Sequence, residues 1–273
     1  MTQAGAETPA CAAPADEARE RRFGGVARLL GEQALARLGA SHVAVVGIGG
    51  VGSWAAEALA RSGVGALTLI DLDHVAESNI NRQVHALDST LGAAKGETMA
   101  RRIAQIAPLC AVHVVDDFVT PDNAASLLPP DAIVVDAIDQ PRAKAAIVAL
   151  AVARGQSLVV CGAAGGVVDG LTLRRGDLAH TRGDPLLASV RARLRRHHGF
   201  ARDLQRAFAV DALYFAGPRP AQRAGGGATG APGAPGAAGA PLACAGYGSI
   251  VTVTAAMGLA AAGLAIGFAT GGH

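Results

Sequence analysis

Short apolar runs alternate with longer amphipathic stretches through the middle of this 273-residue chain. Runs rich in β-branched residues have the length of buried strands and cover residues 43–46, 67–70, 112–115, 133–135 and 158–161. Stretches of helical length separate them and cover residues 54–61, 93–106, 124–128 and 143–153. The alternation predicts a doubly wound, Rossmann-like α/β fold with a mostly parallel sheet and a smaller C-terminal extension.

Composition divides the chain into three parts. Residues 1–20 are rich in alanine, lack the basic and apolar segments of a secretory signal, and are predicted to be a disordered tail. Residues 21–180 hold the alternating pattern and form the predicted Rossmann-like domain. The C-terminal region, 181–273, contains a basic segment, a Gly/Ala/Pro insertion at 224–241 that is predicted to be flexible, and an apolar terminal helix.

The terminal helix leaves two interpretations open. Residues 250–270 carry no charge and are long enough to cross a bilayer at about 1.5 Å per residue. However, small residues and threonines make the segment only moderately apolar. A helix buried against the sheet or against a dimer partner is therefore preferred to a membrane span.

Charge and cysteine content narrow the class of protein. The formal net charge is only +2 and aromatic residues make up 3%, so any nucleic-acid site is local and base stacking is not its main means of recognition. The chain has four widely separated cysteines, Cys11, Cys110, Cys161 and Cys244. Their spacing excludes the paired cysteines of a zinc-binding motif and a dense disulfide framework. Reduced thiols in a cytoplasmic protein are the expected state.

A glycine-rich turn indicates a nucleotide site. Residues 43–53 read as a strand, a tight turn and the first residues of a helix, which places backbone N–H groups where they can face phosphate oxygens. Asp71 follows the next apolar run, about 20 residues beyond the turn, where a carboxylate can hold a ribose hydroxyl. By itself the pattern is also compatible with a tight turn that binds nothing.

The polar residues beyond the turn favour phosphate chemistry. They comprise two carboxylates, an amide and two cations: Asp71, Asp73, Asn79, Arg82 and Lys95. Hydride transfer does not require those cations, whereas phosphoryl chemistry uses them to stabilise charge on phosphate oxygens.

This order of motifs resembles the ubiquitin-activating-enzyme-like adenylyltransferases, which activate a carboxylate with ATP. The resemblance covers residues 22–169 and makes 21–180 an ATP-binding adenylation domain. It implies ATP contacts from Gly47, Gly49, Gly50, Gly52, Ser53, Asp71, Asp73, Asn79, Arg82 and Lys95. Asp139 matches the aspartate that lies near the triphosphate and Mg²⁺ in that family, which makes Arg82, Lys95 and Asp139 the expected catalytic residues. The alternative for Asp139 is a helix N-cap before Pro141.

A finer match narrows the family to the tRNA threonylcarbamoyladenosine dehydratases. The segments that resemble this group are 22–25, 47–60, 81–87 and 116–123. The resemblance implies an enzyme that adenylates the carboxylate of threonylcarbamoyladenosine, next to the anticodon, and closes the side chain to a hydantoin. It also implies a cytoplasmic homodimer in which Arg22 or Arg28 reaches the neighbouring ATP, and leaves a sulfur-transfer partner open.

Two features of the C-terminal region are candidates for further roles. Arg191, Arg195, His198, Arg202 and Arg206 would form one stripe for RNA phosphates if the segment 184–206 were helical. The alternative is a solvated helix face, and Gly199 weakens a continuous helix. Cys244 follows the insertion and is either a nucleophile or an incidental loop cysteine.

Two other functions stay open. An adenylyltransferase that activates the C-terminus of a ubiquitin-like sulfur-carrier protein would share the nucleotide motifs, although the paired cysteines of a structural zinc are missing. A non-catalytic nucleotide-binding module or NAD oxidoreductase would share the glycine turn, but would not require the cations.

Overall fold

The computed structural model describes residues 15–217 and 248–272. Its strands are β1 (His42–Val46), β2 (Ala66–Ile70), β3 (Ala111–Val115), β4 (Ile133–Asp136), β5 (Leu158–Cys161), β6 (Leu173–Asp177) and β7 (Asp211–Phe215). They form one sheet in the order β3-β2-β1-β4-β5-β7-β6. Every neighbouring pair is parallel except β6 and β7, which confirms the predicted doubly wound, mostly parallel fold.

Helices cover both faces of the sheet. They are α1 (Ala15–Leu30), α2 (Glu32–Ala40), α3 (Gly52–Arg61), α4 (Lys95–Ile106), α5 (Ala124–Leu127), α6 (Pro141–Arg154), α7 (Pro185–His197) and α8 (Val251–Thr270). Val45 and Val135 face a core shared with α3, α4 and α8, whereas Val46 and Val134 face a core shared with α5, α6 and α7. Because both faces are buried, the strands are apolar without alternation.

The N-terminal segment is helical earlier than the sequence predicted. Helix α1 begins at Ala15, so residues 15–20 do not belong to a disordered tail. Arg19 donates a hydrogen bond to the Leu35 carbonyl at 3.0 Å, and Arg21 pairs with Glu17 one turn away at 3.3 Å. The tertiary contact with α2 stabilises the start of α1, which the composition of this segment did not predict to be helical. Residues 1–14 lie outside the described part of the chain.

The predicted boundary at residue 180 does not separate two cores. Strand β7 belongs to the C-terminal region, yet it lies between β5 and β6 in the central sheet. The sequence prediction missed β6 and β7. The insertion at 224–241 lies outside the described residues.

The basic segment does not form the single predicted stripe. Helix α7 ends at His197, and Gly199 adopts a positive φ of 71°. Arg202 and Arg206 therefore lie beyond the helix. Within it, Arg191 donates to the Thr181 hydroxyl, while Arg195 donates to the Ala201 carbonyl and lies 5.2 Å from the Phe208 ring centroid. Two of the four predicted RNA-binding arginines thus have structural contacts within the protein.

Helix α8 packs into the fold. It is long and apolar enough to cross a membrane by length and composition, with a mean hydropathy of 1.9. Val253, Met257, Ala261 and Ala265 are nevertheless buried in the core with α3. Gly258 has no room for a side chain, since an added Cβ would overlap the Val51 carbonyl oxygen. This packing agrees with the preferred interpretation of the segment as a buried helix.

Candidate nucleotide and catalytic site

A cavity of about 480 Å³ opens at the carboxyl ends of the central strands. It lies between the neighbouring strands β1 and β4. The chain continues from β1 to β2 on one side of this pair, and from β4 to β5 on the other side. Such a switch point is where doubly wound folds bind ligands. The cavity brings together many of the residues predicted from sequence: Gly47, Gly49, Gly50, Asp71, Asp73, Arg82, Lys95 and Asp139.

The glycine turn packs tightly against the protein at Gly47 and Gly52 and borders open space at Gly49. Gly47 has a φ of 86°, and an added Cβ would lie 2.9 Å from the Ile138 side chain. A Cβ on Gly52 would overlap the Gly47 carbonyl oxygen, whereas one on Gly49 would meet nothing within 4 Å. The backbone at Gly49 is therefore open to a close approach by phosphate groups.

Asp71 ties the end of β2 to the glycine turn. Its Oδ2 accepts from the Ile48 N–H at 2.6 Å, and its Oδ1 accepts from the Asp73 N–H at 2.8 Å. Burial raises the pKa of Asp71, and the Lys95 ammonium and these two N–H groups oppose that shift. An ionised carboxylate has about four lone-pair sites, so two bonds leave capacity for a ribose hydroxyl.

Lys95 is held at the first turn of α4. Its side chain is only 7% exposed, and Nζ lies 2.7 Å from Asp73 Oδ2, whose side chain is half-exposed. The backbones of the two residues are also hydrogen-bonded, since the Lys95 N–H donates to the Asp73 carbonyl at 2.9 Å. This double connection fixes a cation at the cavity wall.

Arg82 is anchored through its backbone as well as its side chain. Trp54 Nε1 donates to the Arg82 carbonyl at 2.9 Å, and the Val84 N–H donates to Ser53 Oγ at 3.4 Å. Both contacts come from the first turn of α3, directly after the glycine turn. The backbone of Arg82 is therefore fixed relative to the glycine turn.

Asp139 lines the cavity and does not cap a helix. The N-cap of α6 is Gln140, which makes no side-chain cap bond. Below this loop, Asp136 and Lys144 form an ion pair at 2.8 Å with both side chains fully buried. Asp136 Oδ1 also accepts from the Ile138 N–H at 3.3 Å, so the pair supports the loop that carries Asp139.

Sequence reasoning missed Lys144. The available signal was a lone lysine in an otherwise apolar and alanine-rich helical stretch.

Some predicted residues lie away from the cavity wall. Asn79 is buried, and its Oδ1 accepts from the Ala76 N–H at 3.1 Å, so it shapes the turn that precedes Arg82. Ser53 is buried behind the glycine turn. Arg22 is exposed and donates to the Ile106 carbonyl at the far end of α4, while Arg28 is exposed on α1.

The cavity also contains residues that the sequence did not indicate as ligand contacts. Gln83, Phe118, Ser249 and Thr254 all line it. Phe118 is 46% exposed, an unusual position for an aromatic ring. Ser249 and Thr254 come from the C-terminal segment, more than 160 positions beyond Arg82 in the sequence, so no local pattern placed them here.

The described thiols are poor nucleophiles. Burial raises the pKa of Cys161 to about 12 and that of Cys110 to about 11. Both therefore remain protonated at neutral pH. Cys244, the candidate nucleophile, lies outside the described residues.

Comparison with known proteins agrees with the geometry of the cavity. A family model described as the ThiF family matches residues 24–272. The chain belongs to the ThiF family. Among members of this family, it is 46% identical over 246 residues to the tRNA threonylcarbamoyladenosine dehydratase of Escherichia coli (strain K12), an alignment that covers 90% of this chain and 92% of that one. The dehydratase of the same name from Bacillus subtilis (strain 168) is 39% identical over 168 residues, covering 61% and 66% of the two chains.

Solved structures of the Escherichia coli dehydratase extend the likeness to three dimensions. The complexes with ATP and with AMP each superimpose on this ThiF-family chain with a TM-score of 0.79 and 44% identity. Each alignment covers 93% of this chain and 96% of the other.

Proposed function

We propose that this protein uses ATP to convert threonylcarbamoyladenosine in tRNA, next to the anticodon, into its cyclic hydantoin form. One observation carries the proposal: the cavity brings Arg82, Lys95 and Asp139 together around a glycine turn and the Asp71 carboxylate. The extent of the match to the Escherichia coli dehydratase, about nine tenths of both chains, supports this substrate. The complexes of that relative with ATP and AMP support ATP as the co-substrate.

The proposed chemistry has two steps. The threonyl carboxylate attacks the α-phosphate of ATP, the bond to the β-phosphate breaks, and pyrophosphate leaves with formation of an acyl adenylate. The ureido nitrogen then attacks the activated carbonyl, loses its proton, and expels AMP. The net change in the nucleoside is the loss of one water. Both reacting groups belong to one side chain, so ring closure is intramolecular and benefits from proximity.

The residues divide between binding and charge stabilisation. Asp71 holds the ribose and the glycine turn receives the phosphates. Arg82 and Lys95 stabilise the charge that develops on phosphate oxygens during the first step. Because Lys95 is already held by Asp73, it reaches the phosphates from a fixed position.

Asp139 fits a role in holding Mg²⁺. Within residues 15–217 and 248–272, no protein donor satisfies its carboxylate, which lines the same cavity as the cations. Mg²⁺ in nucleotide enzymes prefers one or two carboxylates together with phosphate oxygens and water. A bound Mg²⁺ would supply further neutralisation of phosphate charge.

The tRNA contact is proposed for the exposed basic side of the C-terminal region. We call the group of Arg196, His197, His198, Arg202 and Arg206 the basic surface; all five are exposed. Phosphate contacts of this kind make binding salt-dependent. Replacing Arg196, Arg202 and Arg206 together by Ala should weaken tRNA binding and flatten the dependence of log K on log salt, measured by filter binding. An unchanged slope would remove these arginines from the interface.

A homodimer is proposed from two exposed features. Leu259 is 51% exposed on the uncharged, apolar α8, and Arg22 contacts the Ile106 carbonyl at the end of α4 opposite to the cavity-lining Lys95. Sedimentation in solution tests this assembly. The cytoplasm is the expected location because tRNA modification takes place there. A sulfur-transfer partner stays a prediction.

The decisive experiment measures nucleosides. Threonylcarbamoyl-modified tRNA is incubated with the protein and Mg·ATP, then digested and analysed by mass spectrometry for an ATP-dependent loss of water. Arg82→Ala should reduce the rate by about 10²- to 10³-fold, the cost of removing one stabilising donor. If the parent protein leaves the nucleoside unchanged but consumes ATP with a small carrier protein, the carrier-activating function replaces this proposal.

A further inference from the structure

One side chain connects the catalytic arginine to the C-terminal segment. Asn81 Oδ1 accepts from Arg82 Nη1 at 2.9 Å, and Asn81 Nδ2 donates to the Ser249 carbonyl at 2.8 Å. The orientation of the amide is determined by its partners, since a guanidinium only donates and a carbonyl only accepts. Asn81 is exposed, so these bonds do not arise from core packing.

These contacts leave the ligand-facing donors of Arg82 available. Nη1 donates both to Asn81 and to the Ser78 carbonyl, at 2.7 Å, which uses its two hydrogens. A guanidinium has five N–H donors in a rigid plane. In the described part of the chain, Nε and Nη2 have no protein acceptor, while the side chain lines the nucleotide cavity. Fixing one end of the plane therefore directs the remaining three donors.

The C-terminal segment is held against the site at more than this point. The Gly166 N–H donates to the Gly248 carbonyl at 2.8 Å, and Ser249 and Thr254 line the cavity. Ser249 lies 168 positions from Asn81 in the sequence. The segment 248–254 thus completes the cavity wall beside Arg82 only when the chain has folded around the glycine turn.

We propose that Asn81 is a positioning residue for the reaction. It orients the Arg82 guanidinium toward the phosphates and makes that orientation depend on the docked segment 248–254. This inference rests on the proposed role of Arg82. Asn81 itself touches neither nucleotide nor substrate in this assignment, so its effect on the rate passes through the arginine.

A double-mutant cycle tests the proposal on the full-length protein. Asn81→Ala, Arg82→Ala and the double variant are compared with the parent in ATP-dependent ring closure under saturating tRNA. Asn81→Ala should lower kcat about tenfold while the KM for ATP changes less than about threefold, because stabilisation is lost mainly in the transition state. In the Arg82→Ala background the same change should cost less than about twofold.

The outcomes distinguish the proposed role of Asn81 from that of Arg82. An equal loss in both backgrounds, or no loss in the parent, overturns the role of Asn81. Unchanged activity of Arg82→Ala would instead overturn the proposed role of the arginine. Ser89→Ala is the control, because Ser89 is exposed in the same connection between β2 and α4 and its side chain makes no hydrogen bond within the described residues; it should retain parental kcat.

Hydrogen exchange tests the link to the C-terminal segment. Amide exchange in peptides covering 248–254 should accelerate in Asn81→Ala and stay at the parental rate in Ser89→Ala. Identical exchange in both variants and the parent would show that Asn81 does not hold this segment. Thermal unfolding of all variants checks that the global fold is preserved.

Discussion

At the scale of single residues, the glycines of the nucleotide turn have different surroundings. A Cβ on Gly50 would lie 3.2 Å from Cγ and Cδ of Arg82 and 3.3 Å from Thr254 Cγ2. Gly49 borders open space instead. The close spacing of these glycines in the sequence predicts a phosphate-binding turn, but it does not indicate which glycine packs against the Arg82 side chain. That distinction follows from the approach of a loop and a helix from elsewhere in the chain.

Alanine at these two positions should therefore affect different kinetic constants. Gly50→Ala displaces the stem of Arg82 and should lower kcat by roughly tenfold, since transition-state stabilisation depends on the position of the donor. Gly49→Ala leaves Arg82 in place and puts a methyl group where the phosphates are proposed to bind, so it should raise the KM for ATP. Steady-state kinetics of ring closure measure both. Equal changes in the two constants for both variants would contradict this assignment.

At the scale of elements, a buried ion pair joins α6 to β4. Lys144 Nζ contacts both Oδ1 and the carbonyl oxygen of Asp136, at 2.8 and 3.1 Å. Removing two charges from water is costly, and the cost is offset only while both partners are present. The pair lies directly below the loop that carries Asp139, so the stability of this junction and the shape of the site share the same contacts.

Loss of the lysine alone should strongly destabilise the protein. Lys144→Met keeps the apolar stem but leaves the Asp136 carboxylate buried without its cation, and we expect a loss of about 3–5 kcal/mol in the free energy of unfolding. Urea denaturation measures it. Adding Asp136→Asn to the same chain should recover part of that loss, because the buried charge is then gone. A double variant no more stable than Lys144→Met would contradict this account.

The contact between α8 and α3 gives a second test at this scale. An added Cβ on Gly258 would lie 2.9 Å from Trp54 Cβ and would overlap the Val51 carbonyl oxygen. Gly258→Ala should therefore cost about 1–3 kcal/mol through overpacking. Gly263, in the same helix, has open space around its Cβ position. Gly263→Ala should be neutral or stabilising by up to about 1 kcal/mol, since alanine favours helix.

Thermal unfolding of the two glycine variants compares them directly. If Gly263→Ala is destabilised as much as Gly258→Ala, the close contact between the two helices is not the cause of the effect.

At the scale of the whole molecule, folding buries a histidine without hydrogen-bond partners. His85 is 1% exposed, and among the described residues neither ring nitrogen has a partner. Burial lowers the pKa of His85 to about 4, and Lys95 and Arg102 add to the shift. In the unfolded chain His85 is protonated below about pH 6.5, whereas in the folded protein it is protonated only below about pH 4.

Global stability should consequently fall as the pH drops through this window. Between pH 6.5 and 4 the unfolded state binds more protons at His85, and the contribution reaches about 3 kcal/mol when the shift is complete. His85→Leu removes the titrating group and loses no hydrogen bond in the described structure. Its free energy of unfolding, followed by urea denaturation at pH 7, 5.5 and 4.5, should decline less steeply than that of the parent. Parallel declines would exclude His85 as the source.

The sequence by itself determined the class of fold and indicated several residues that the structure brings together in one cavity. Runs such as 43–46 and 67–70 match observed strands within one residue, because strand length and β-branched composition are local properties. The glycine turn and Asp71 line the cavity because they follow strand ends that meet at one edge of a parallel sheet, and Lys95 reaches it from the first residue of α4.

Only the tertiary structure decided how those parts are supported. Strand β7, the contact of α1 with α2, and the bond from Asn81 to Ser249 join segments whose proximity no periodic pattern encodes. The condition for one basic stripe, a continuous helix through 184–206, is not met, because α7 ends at His197 and Gly199, which the sequence marked as a weak point, has a positive φ. Contacts between distant segments depend on the packing of the whole chain, whereas a periodic pattern in the sequence reflects only the local backbone conformation.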